Sequence, residues 1–388
     1  MPNKILFCAT VDYHFSAFHL PVLEWFKQHN WEVHIAAKGD LDIPYVDKKF
    51  NIPMERSPFS IRNREAFRQL KTVIGENDYS IIHCHTPIGG VLARLAGREA
   101  RKKGTKVIYT AHGFHFCKGA PLLNWLLYYP IERSLARMTD CLVTINDEDY
   151  NLARGHRFKA GQIAHVHGVG IDTGRFRPAQ PSEKARLRQS YCYKQDDILL
   201  FYAAEFNGNK NHQLIIGAMA LIKEEVPAMR LLLAGRGPLQ EECRQLAASL
   251  GIEHMIHFLG YRSDIDQVLP MCDIAVSGSL REGLPVNIME AMACGLPIAA
   301  THNRGHDELV IDNVSGYLIA PNQVAAFAER ILALCTSQEL RKEMGSKGLA
   351  HIQKYTLGQV RQQLSEIYLD YMMGEHNGTQ DQHRHSYL

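Results

Sequence analysis

The amino-acid sequence predicts an α/β protein of two successive doubly wound units, each with a parallel β-sheet between layers of helices. Its 388 residues suffice for two or three domains of about 150 residues each. Short runs that are apolar throughout alternate with longer segments of helical period, which is typical of parallel sheets covered on both faces. The alternation pauses at the proline-containing residues 175–182 and then restarts. This pause indicates a linker between the two units.

The individual elements are predicted from these apolar runs and from the periodic segments between them. In the first unit, residues 1–177, the predicted strands are Lys4–Thr10, Glu32–Ala37, Ile81–Cys84, Lys106–Thr110 and Cys141–Ile145. The predicted helices of this unit are Pro21–His29 and Arg64–Gly75. In the second unit, residues 178–356, the predicted strands are Ile198–Ala203, Arg230–Ala234, Ile256–Phe258, Ile274–Ser277 and Ile298–Ala300. A helix is predicted over Leu284–Ala293. A last amphipathic helix is predicted over Leu357–Met373 and a frayed, histidine-rich tail over residues 374–388.

Composition excludes several classes of protein. Hydrophobic residues make up 46% and charged residues 22% of the chain, a mix that excludes a disordered tail protein or a collagen. No apolar run reaches the roughly 18 residues that span a bilayer. The first residues enter an apolar strand without a signal-peptide pattern, so we expect a cytoplasmic protein. The nine cysteines show no C-x-x-C spacing, which favours buried free thiols and no metal site.

Charge is unevenly distributed along the chain, although the net charge is only +2. Residues 1–177 carry 24 Lys and Arg against 17 Asp and Glu, and the remainder carries 19 against 24. The basic half contains a cluster of five cations and the apolar segment Pro121–Met138; the cations are Arg56, Arg62, Arg64, Arg68 and Lys71. Two interpretations stay open: a solvated loop with a core helix, or docking to an anionic membrane face. No motif supports nucleic-acid binding.

The densest motif runs from Ser277 to Pro297, where a strand, a glycine-bearing turn and a helix follow one another. Glu282 lies in the turn and Glu290 lies eight residues later in the helix. The free N–H groups of a helix start suit a phosphate, and a nearby carboxylate accepts hydrogen bonds from sugar hydroxyls. Taken alone, the two glutamates could equally be solvated surface residues.

The context of these glutamates resembles the retaining GT-B glycosyltransferases that carry an E-x7-E pattern, in their exopolysaccharide, capsule and O-antigen branch. The matching pieces occur in family order: 235–238, 258–261 with Asp264, 282–297, 305–309 and 313–318, preceded by 83–87 and 110–116. The resemblance covers about residues 1–373. It implies two Rossmann-like domains facing a cleft, with the last helix returning to the first domain. It also implies hexosyl transfer from a nucleotide-diphosphate sugar, with UDP the commonest nucleotide in this branch, and no cofactor or metal.

The resemblance also implies roles for single residues of the second unit. Glu282 would contact the donor sugar and act in catalysis, Glu290 would bind the donor ribose, and Lys210 would bind the diphosphate. Further donor contacts are implied for the glycine turn and for the Gly-Arg-Gly-Pro segment, at Gly283, Leu284, Pro285 and Gly235. The chain departs from the family at Glu205, where an arginine is expected. We therefore expect another cation at the diphosphate, either Arg281 or Arg236.

The first unit supplies candidates for the acceptor and the reacting centre. His112 follows a predicted strand, and the resemblance implies that it lies near the donor sugar. Asp12 and His14 lie in a loop without the Gly-Gly turn that many relatives carry, and turn capping is the alternative role for them. His85 and Arg62 are the remaining candidates for the acceptor side of the cleft. The histidines could suggest a metal, but no carboxylate or thiol spacing supports one.

These observations predict a glycosyltransferase whose acceptor is a hydroxyl of a growing, isoprenoid-linked glycan. Two rival functions stay open from the sequence. One is a nucleotide-sugar 2-epimerase, which would need no acceptor. The other is a non-catalytic nucleotide-sugar-binding subunit, which the substitution at Glu205 would favour.

Overall fold

A computed structural model describes residues 3–372 of the protein and divides the chain into two compact units. The first unit contains residues up to Gly170 together with the helix that begins at Leu357, and the second contains Ile171–Thr356. The first boundary lies seven residues before the predicted one at 177/178. The reason is that Ile171 pairs with Thr356 and its N–H donates to Tyr355 O at 2.8 Å. The predicted tail, 374–388, lies outside the described residues.

The first unit is built on a parallel sheet of seven strands in the order β3-β2-β1-β4-β5-β6-β7. The strands are β1 Lys4–Val11, β2 Glu32–Lys38, β3 Lys48–Asn51, β4 Ile81–His85, β5 Lys106–Ala111, β6 Cys141–Thr144 and β7 Gln162–His165. The helices are α1 Tyr13–Phe18, α2 Leu20–Gln28, α3 Arg62–Glu76, α4 Pro87–Ala96, α5 Arg98–Lys102, α6 Leu122–Leu135 and α7 Asp147–Gly155. Short strands buried on both faces explain the apolar runs that predict this sheet.

The second unit is built on a parallel sheet of six strands in the order β10-β9-β8-β11-β12-β13. The strands are β8 Ile198–Ala203, β9 Met229–Ala234, β10 Ile256–Gly260, β11 Ile274–Ser277, β12 Ile298–Thr301 and β13 Gly316–Ile319. The helices are α8 Pro181–Ser190, α9 His212–Leu221, α10 Gln240–Ser249, α11 Ile265–Val268, α12 Val286–Ala293, α13 Arg304–Leu309, α14 Val324–Thr336 and α15 Gln338–His351. The two sheets confirm the predicted fold class. Pro181, in the expected linker, is the first residue of α8. The N–H of a first helical residue has no acceptor within the helix, so its absence in proline costs nothing.

The last helix, α16 Leu357–Met372, packs on the first unit. The hydroxyl group of its buried Tyr368 lies within hydrogen-bond distance of His83 Nδ1, at 2.7 Å, and its ring lies edge-on to Phe26 with centroids 4.7 Å apart. Tyr371 OH donates to Asp140 O at 3.1 Å. The apolar stripe of this helix therefore finds its partners on α2 and β4, far away along the chain.

Helix α6 carries most of its apolar side chains on its exposed face. Leu122 and Leu126 are 74% and 64% exposed, and only Glu132 and Leu135 of this helix are buried. The other face of the helix, with Trp125 and the two tyrosines that follow it, packs on the core of the first unit. The interpretation of Pro121–Met138 as a core helix therefore holds for one face and fails for the other. Within residues 3–372, no helix combines the length and the apolar character that crossing a bilayer requires.

The cysteines are free thiols, as expected from their spacing. Eight of the nine are buried, which confirms the prediction for them. Cys192 is the exception and is exposed in the turn after α8, where its φ is +62°.

A buried ion pair stabilises the interior of the first unit. Arg94 is 1% exposed and donates to Glu132 Oε2 at 2.8 Å, and its guanidinium lies 3.9 Å from the centre of the Tyr109 ring. Removing one partner of such a pair leaves an unpaired buried charge, which costs about 3–5 kcal/mol. We therefore expect Glu132→Ala to lower the free energy of unfolding by about that amount in chemical denaturation. Glu99→Ala, at an exposed ion pair, is the control, and equal losses in both variants would contradict the assignment.

Candidate functional site

Two loops at the carboxyl ends of β8 and β11 are tied together by hydrogen bonds. The loop after β8 carries Lys210, and the loop after β11 carries Glu282. Leu280 N donates to Asn209 O at 2.8 Å, and Asn209 Nδ2 donates to Arg281 O at 3.0 Å. The strand order of the second sheet reverses between β8 and β11, which is where open α/β sheets bind ligands. The loops therefore form a candidate binding site.

Lys210 and Glu282 form the charged centre of this site. Lys210 Nζ donates to Glu282 Oε1, and both residues are half-buried. The backbone at Lys210 is held by a hydrogen bond, because Tyr202 OH donates to Lys210 O at 2.9 Å. Arg304 Nε donates to the Glu282 main-chain oxygen at 3.0 Å. Two cations thus converge on one turn, an arrangement that suits an anionic ligand such as a phosphate.

Two glycines allow the backbone of these loops to approach so closely. A Cβ atom on Gly305 would lie 2.8 Å from Glu282 Cβ and 3.0 Å from Gly283 O. A Cβ atom on Gly235, whose φ is +148°, would lie 2.0 Å from Ala204 O. Any side chain at either position would displace the Glu282 turn or the loop after β8.

Glu290 lies on α12, half-buried and close to a charged pair. Burial raises the pKa of its carboxyl to about 7, opposed by the charge of Arg175 and assisted by that of Asp266. Arg175 Nη2 donates to Asp266 Oδ1 at 3.0 Å, so the arginine already has a partner. Near neutral pH, Glu290 is therefore poised between its charged and neutral forms, as is common at functional sites.

Four polar atoms in or beside these loops lie buried without a partner among the described residues. They are Asn209 Oδ1, His212 Nε2, Ser277 Oγ and His306 Nε2. His306 Nδ1 lies 2.6 Å from Thr301 O, so this nitrogen carries the proton and Nε2 is left as an acceptor. Burial lowers the pKa of His306, which keeps the ring neutral. An unpaired buried acceptor at a ligand-binding edge is a candidate contact for a hydroxyl group.

The equivalent edge of the first sheet carries four histidines, which we call the histidine cluster: His14, His19, His85 and His112. They follow β1, end β4 and follow β5, and the strand order of this sheet reverses between β1 and β4. His14 Nε2 lies 3.1 Å from His19 Nε2, and His85 Nδ1 lies 3.2 Å from His112 Nε2. Burial lowers the pKa of His112 to about 4 and that of the other three further. All four rings are therefore neutral at physiological pH.

Two family models and a related protein match the chain over most of its length. The model of the "Glycosyl transferase 4-like" family matches residues 4–146, and that of "Glycosyl transferases group 1" matches residues 183–351. The putative glycosyltransferase EpsD of Bacillus subtilis is 50% identical over 372 residues, which cover 96% of this chain and 98% of that protein. The chain belongs to the group 1 glycosyltransferase family.

This group 1 glycosyltransferase has further relatives among characterised and solved proteins. It is 26% identical over 293 residues to the UDP-Gal:alpha-D-GlcNAc-diphosphoundecaprenol alpha-1,3-galactosyltransferase of Escherichia coli, covering 73% of this chain and 75% of that protein. The crystal structure of Anabaena HepE in complex with UDP and glucose matches with a TM-score of 0.77 at 21% identity, covering 95% of this chain and 100% of HepE. This likeness confirms the GT-B fold.

The cations expected to replace the missing arginine lie at the surface of the glycosyltransferase. Arg236 and Arg281 are both exposed, and the contacts around them involve their backbone: Phe206 N donates to Arg236 O at 3.1 Å. Glu205 is exposed as well and accepts from Asn207 Nδ2 at 3.1 Å. Arg304 is a further cation at the Glu282 turn, and the role of Arg236 or Arg281 at the diphosphate stays a prediction.

The turn before α12 contributes to the site through its backbone. Leu284 and Pro285 are both buried, and Gly283 is half-buried. Pro285 carries no N–H, so of these two buried residues only Leu284 offers a main-chain donor. If this segment contacts a phosphate, as the resemblance implies, the donors are main-chain N–H groups of the turn and of the first residues of α12.

Two candidates of the first unit have structural partners. Asp12 Oδ2 accepts from Lys49 Nζ at 2.6 Å and from Leu41 N at 2.8 Å. Burial alone would raise the pKa of Asp12, but the hydrogen bonds from Lys49 and Leu41 lower it. Asp12 thus ties the loop after β1 to the loop after β2 and to β3. This is a structural role but not local turn capping, because the side chain makes no cap hydrogen bond to α1. Arg62 begins α3 with an exposed side chain, 3.5 Å from Glu55 Oε1.

Sequence reasoning missed four residues that the structure brings to these edges: Arg304, His306, Arg175 and His19. Arg304 and His306 flank Gly305 in a segment that the family resemblance marks only as a whole. The aromatic and histidine pattern from His14 to His19 was a usable signal, because two imidazoles five residues apart in one short loop can meet on one side. Arg175 lies in the predicted linker, where no pattern marks it.

The raised pKa of Glu290 predicts a dependence of stability on pH. The folded protein holds this proton up to about pH 7, whereas an unfolded glutamate loses it near its ordinary pKa. Stability should therefore fall as pH rises from about 4.5 to 7. We expect Glu290→Gln to flatten this slope and to exceed the parent at pH 8 by about 1–3 kcal/mol, measured by denaturation at several pH values. The exposed Glu224→Gln is the control; the same slope in all three proteins would contradict the expectation.

Proposed function

We propose that this glycosyltransferase moves a hexosyl group from a UDP-linked sugar to a hydroxyl of a growing, lipid-linked surface polysaccharide, with retention of anomeric configuration. The observation that carries the proposal is the cationic turn of the second unit. There Lys210 and Arg304 converge on Glu282, and Glu290 follows on the helix that the same turn begins. The names of the relatives support the donor and acceptor classes. HepE was solved with UDP and glucose, and the Escherichia coli relative uses UDP-Gal and a diphosphoundecaprenol-linked sugar.

The second unit would bind the donor through its charges. Lys210 and Arg304 would neutralise the diphosphate, and Glu290 would accept hydrogen bonds from the ribose hydroxyls. Glu282 would accept from hydroxyls of the transferred sugar while its pairing with Lys210 keeps both side chains in place. Preorganised cations at the leaving diphosphate stabilise the charge that develops as the glycosidic bond breaks.

The first unit would act on the acceptor and the reacting sugar. His112 is half-buried and neutral, so it can accept a hydrogen bond from a hydroxyl group and also donate one. His14 and His85 contact it from either side, with ring centroids 4.9 and 5.4 Å away. Arg62, with its exposed guanidinium, would meet an anionic acceptor such as an isoprenoid diphosphate.

Incubation with a panel of nucleotide sugars, with and without a membrane extract that supplies acceptors, tests the proposal. We expect transfer of the sugar that depends on the extract and releases UDP. Appearance of an epimeric nucleotide sugar without extract would instead show a 2-epimerase. Binding of nucleotide sugar with no product under either condition would show a non-catalytic subunit. An α-linkage in the product from an α-linked donor would establish retention.

We further propose that transfer needs no magnesium. Lys210, Arg304 and the main-chain amides of α12 would provide the positive charge that Mg²⁺ supplies elsewhere. Transfer should therefore continue in excess EDTA and should not increase when Mg²⁺ is added. Loss of activity in EDTA that Mg²⁺ restores would contradict this expectation.

The exposed face of α6 favours contact with a membrane. Its Leu122, Leu123, Leu126 and Ile131 are between 45% and 74% exposed. The same unit carries the exposed cations that precede and follow the start of α3. Apolar side chains that enter the acyl boundary, together with cations that meet anionic headgroups, form a peripheral membrane anchor. Such an anchor would bring the enzyme to a lipid-linked acceptor.

Sedimentation with vesicles that contain phosphatidylglycerol tests this contact. We expect the parent to sediment with them, and Leu122→Glu combined with Leu126→Glu to remain in the supernatant. Leu221→Glu replaces a leucine that is 57% exposed on the second unit, and it should sediment like the parent. If both variants sediment equally, α6 is not the anchor.

A further inference from the structure

The histidine cluster has the dimensions of a metal site. One ring nitrogen from each of the four residues lies within 4.8 Å of the others. The six ring-centroid separations run from 4.2 to 5.9 Å. Four imidazoles around a tetrahedral zinc ion, with Zn–N bonds of about 2.0–2.1 Å, have nitrogens about 3.3 Å apart and ring centres about 5 Å apart. The two hydrogen-bonded N–N distances, 3.1 and 3.2 Å, are already close to this value.

His85 brings two different ring nitrogens to the histidine cluster. Its Nδ1 lies 3.2 Å from His112 Nε2, whereas its Nε2 is buried with no hydrogen-bond partner among the described residues. The ion can take only one of the two. Coordination through Nε2 would recover the free energy that this buried nitrogen loses without a partner, and coordination through Nδ1 would replace its contact with His112.

A fifth histidine nearby is excluded as a ligand by its own hydrogen bonds. His83 Nε2 lies 2.8 Å from Thr110 Oγ1, and His83 Nδ1 lies 2.7 Å from Tyr368 OH. Both its nitrogens are therefore occupied, and its ring packs 4.2 Å from that of His85. His83 thus supports the cluster from behind and leaves four ligands, the number that a tetrahedral ion takes.

We propose that His14, His19, His85 and His112 bind a single zinc-class transition-metal ion. A set of imidazoles without carboxylate or thiol favours Zn²⁺, Co²⁺, Ni²⁺ or Cu²⁺ and disfavours Mg²⁺ and Ca²⁺. Three of the ligands, His19, His85 and His112, line a small cavity in the first unit. Arg361 is the charged side chain that lines the same cavity, so affinity must come from the four bonds and not from local negative charge.

Such an ion would inhibit transfer. Four imidazoles fill a tetrahedral coordination shell and leave no open position for water or substrate. The ion would also occupy the nitrogen of His112 that would otherwise be available to a hydroxyl group. This consequence rests on the proposed function, in which His112 takes part in transfer. Binding itself does not rest on it, since the geometry of the cluster is independent of the reaction.

Titration with Co²⁺ measures binding without reference to activity, because tetrahedral Co²⁺ has an intense visible absorption. The tail histidines His376, His383 and His385 should be replaced by alanine in every protein compared, so that they bind no metal. We expect one Co²⁺ per chain with a tetrahedral spectrum, displaced by Zn²⁺. Zn²⁺ should also raise the melting temperature, because it binds the folded state alone.

The matched variants are His19→Ala and, at an exposed histidine of the second unit, His254→Ala. Loss of a ligand should weaken Co²⁺ binding by on the order of 100-fold or more, since changes outside the ligand set already cost about 10–100-fold. His254→Ala should bind like the parent. If His19→Ala fails to fold, His14→Ala removes another ligand and takes its place. The absence of a tetrahedral spectrum in the parent, or equal affinity in the ligand variant and the control, would overturn the proposal.

Turnover separates this inference from the proposed function. We expect Zn²⁺ to reduce transfer in proportion to occupancy of the site, and EDTA to restore it. A tetrahedral Co²⁺ spectrum with transfer unaffected at full occupancy would retain the metal site and refute the role of His112. Transfer without any metal binding would retain the proposed function and refute the metal site.

Discussion

Glu282→Ala should reduce kcat/KM for transfer by on the order of 100-fold or more, because the substitution leaves donor hydroxyls and the half-buried Lys210 without their partner. In the structure, Lys210 Nζ donates to this carboxylate and Arg304 holds the same residue through its main-chain oxygen. The loss should appear mainly in kcat, since a contact to the reacting sugar strengthens as its bond to the diphosphate breaks. Steady-state kinetics with the donor identified in the panel provide the measurement.

The control for Glu282 is Glu224→Ala, an exposed glutamate of the same unit. It should retain parent kinetics. Melting curves should show that Glu282→Ala remains folded, so that the loss belongs to the site. Near-parent activity of a folded Glu282→Ala protein would refute the assignment of this carboxylate.

Lys210→Ala should reduce transfer by about 100- to 1,000-fold, the loss typical of removing one preorganised donor from a developing charge. The substitution removes a positive charge from the diphosphate and also leaves the half-buried Glu282 carboxylate unpaired. An unpaired carboxylate would repel the diphosphate, so donor affinity should fall together with kcat. Single-turnover kinetics at saturating donor separate the two effects.

Lys342→Ala, at an exposed position on α15, is the matched control for Lys210 and should behave like the parent. Lys210→Arg keeps the charge but changes the shape of the donor group, and we expect it to recover part of the activity. Equal activity of Lys210→Ala and Lys342→Ala would show that the diphosphate is bound elsewhere.

All the central strands could be predicted from the sequence, but three of the four edge strands, β3, β7 and β13, could not. Ile198–Ala203 and Ile274–Ser277 were predicted with the bounds that the structure has. Both are central strands, in which packing on two faces demands an apolar run. The missed strands Lys48–Asn51 and Gln162–His165 lie at the two edges of the first sheet and are half-exposed. Their polar residues carry no such pattern.

The same limit applies to the site. The family resemblance singles out Lys210 and Glu282, which the structure joins in one ion pair. The sequence does not reveal that Asp12 is bound by Lys49, 37 residues away, nor that Arg175 from the predicted linker reaches Asp266. Contacts across that separation depend on where the strands place their loops, and no local pattern encodes them. No local pattern marks His19 as a member of the histidine cluster, since its partners His85 and His112 come from other strands.

A crystal structure of the enzyme with UDP tests the central claim most directly. We expect the diphosphate within hydrogen-bond distance of Lys210 Nζ, and the ribose hydroxyls at the Glu290 carboxylate. The Lys210–Glu282 pair should lengthen or open as the lysine turns to the phosphate. UDP bound away from the loops after β8 and β11, with the Lys210–Glu282 pair intact and Glu290 without a ligand, would contradict it.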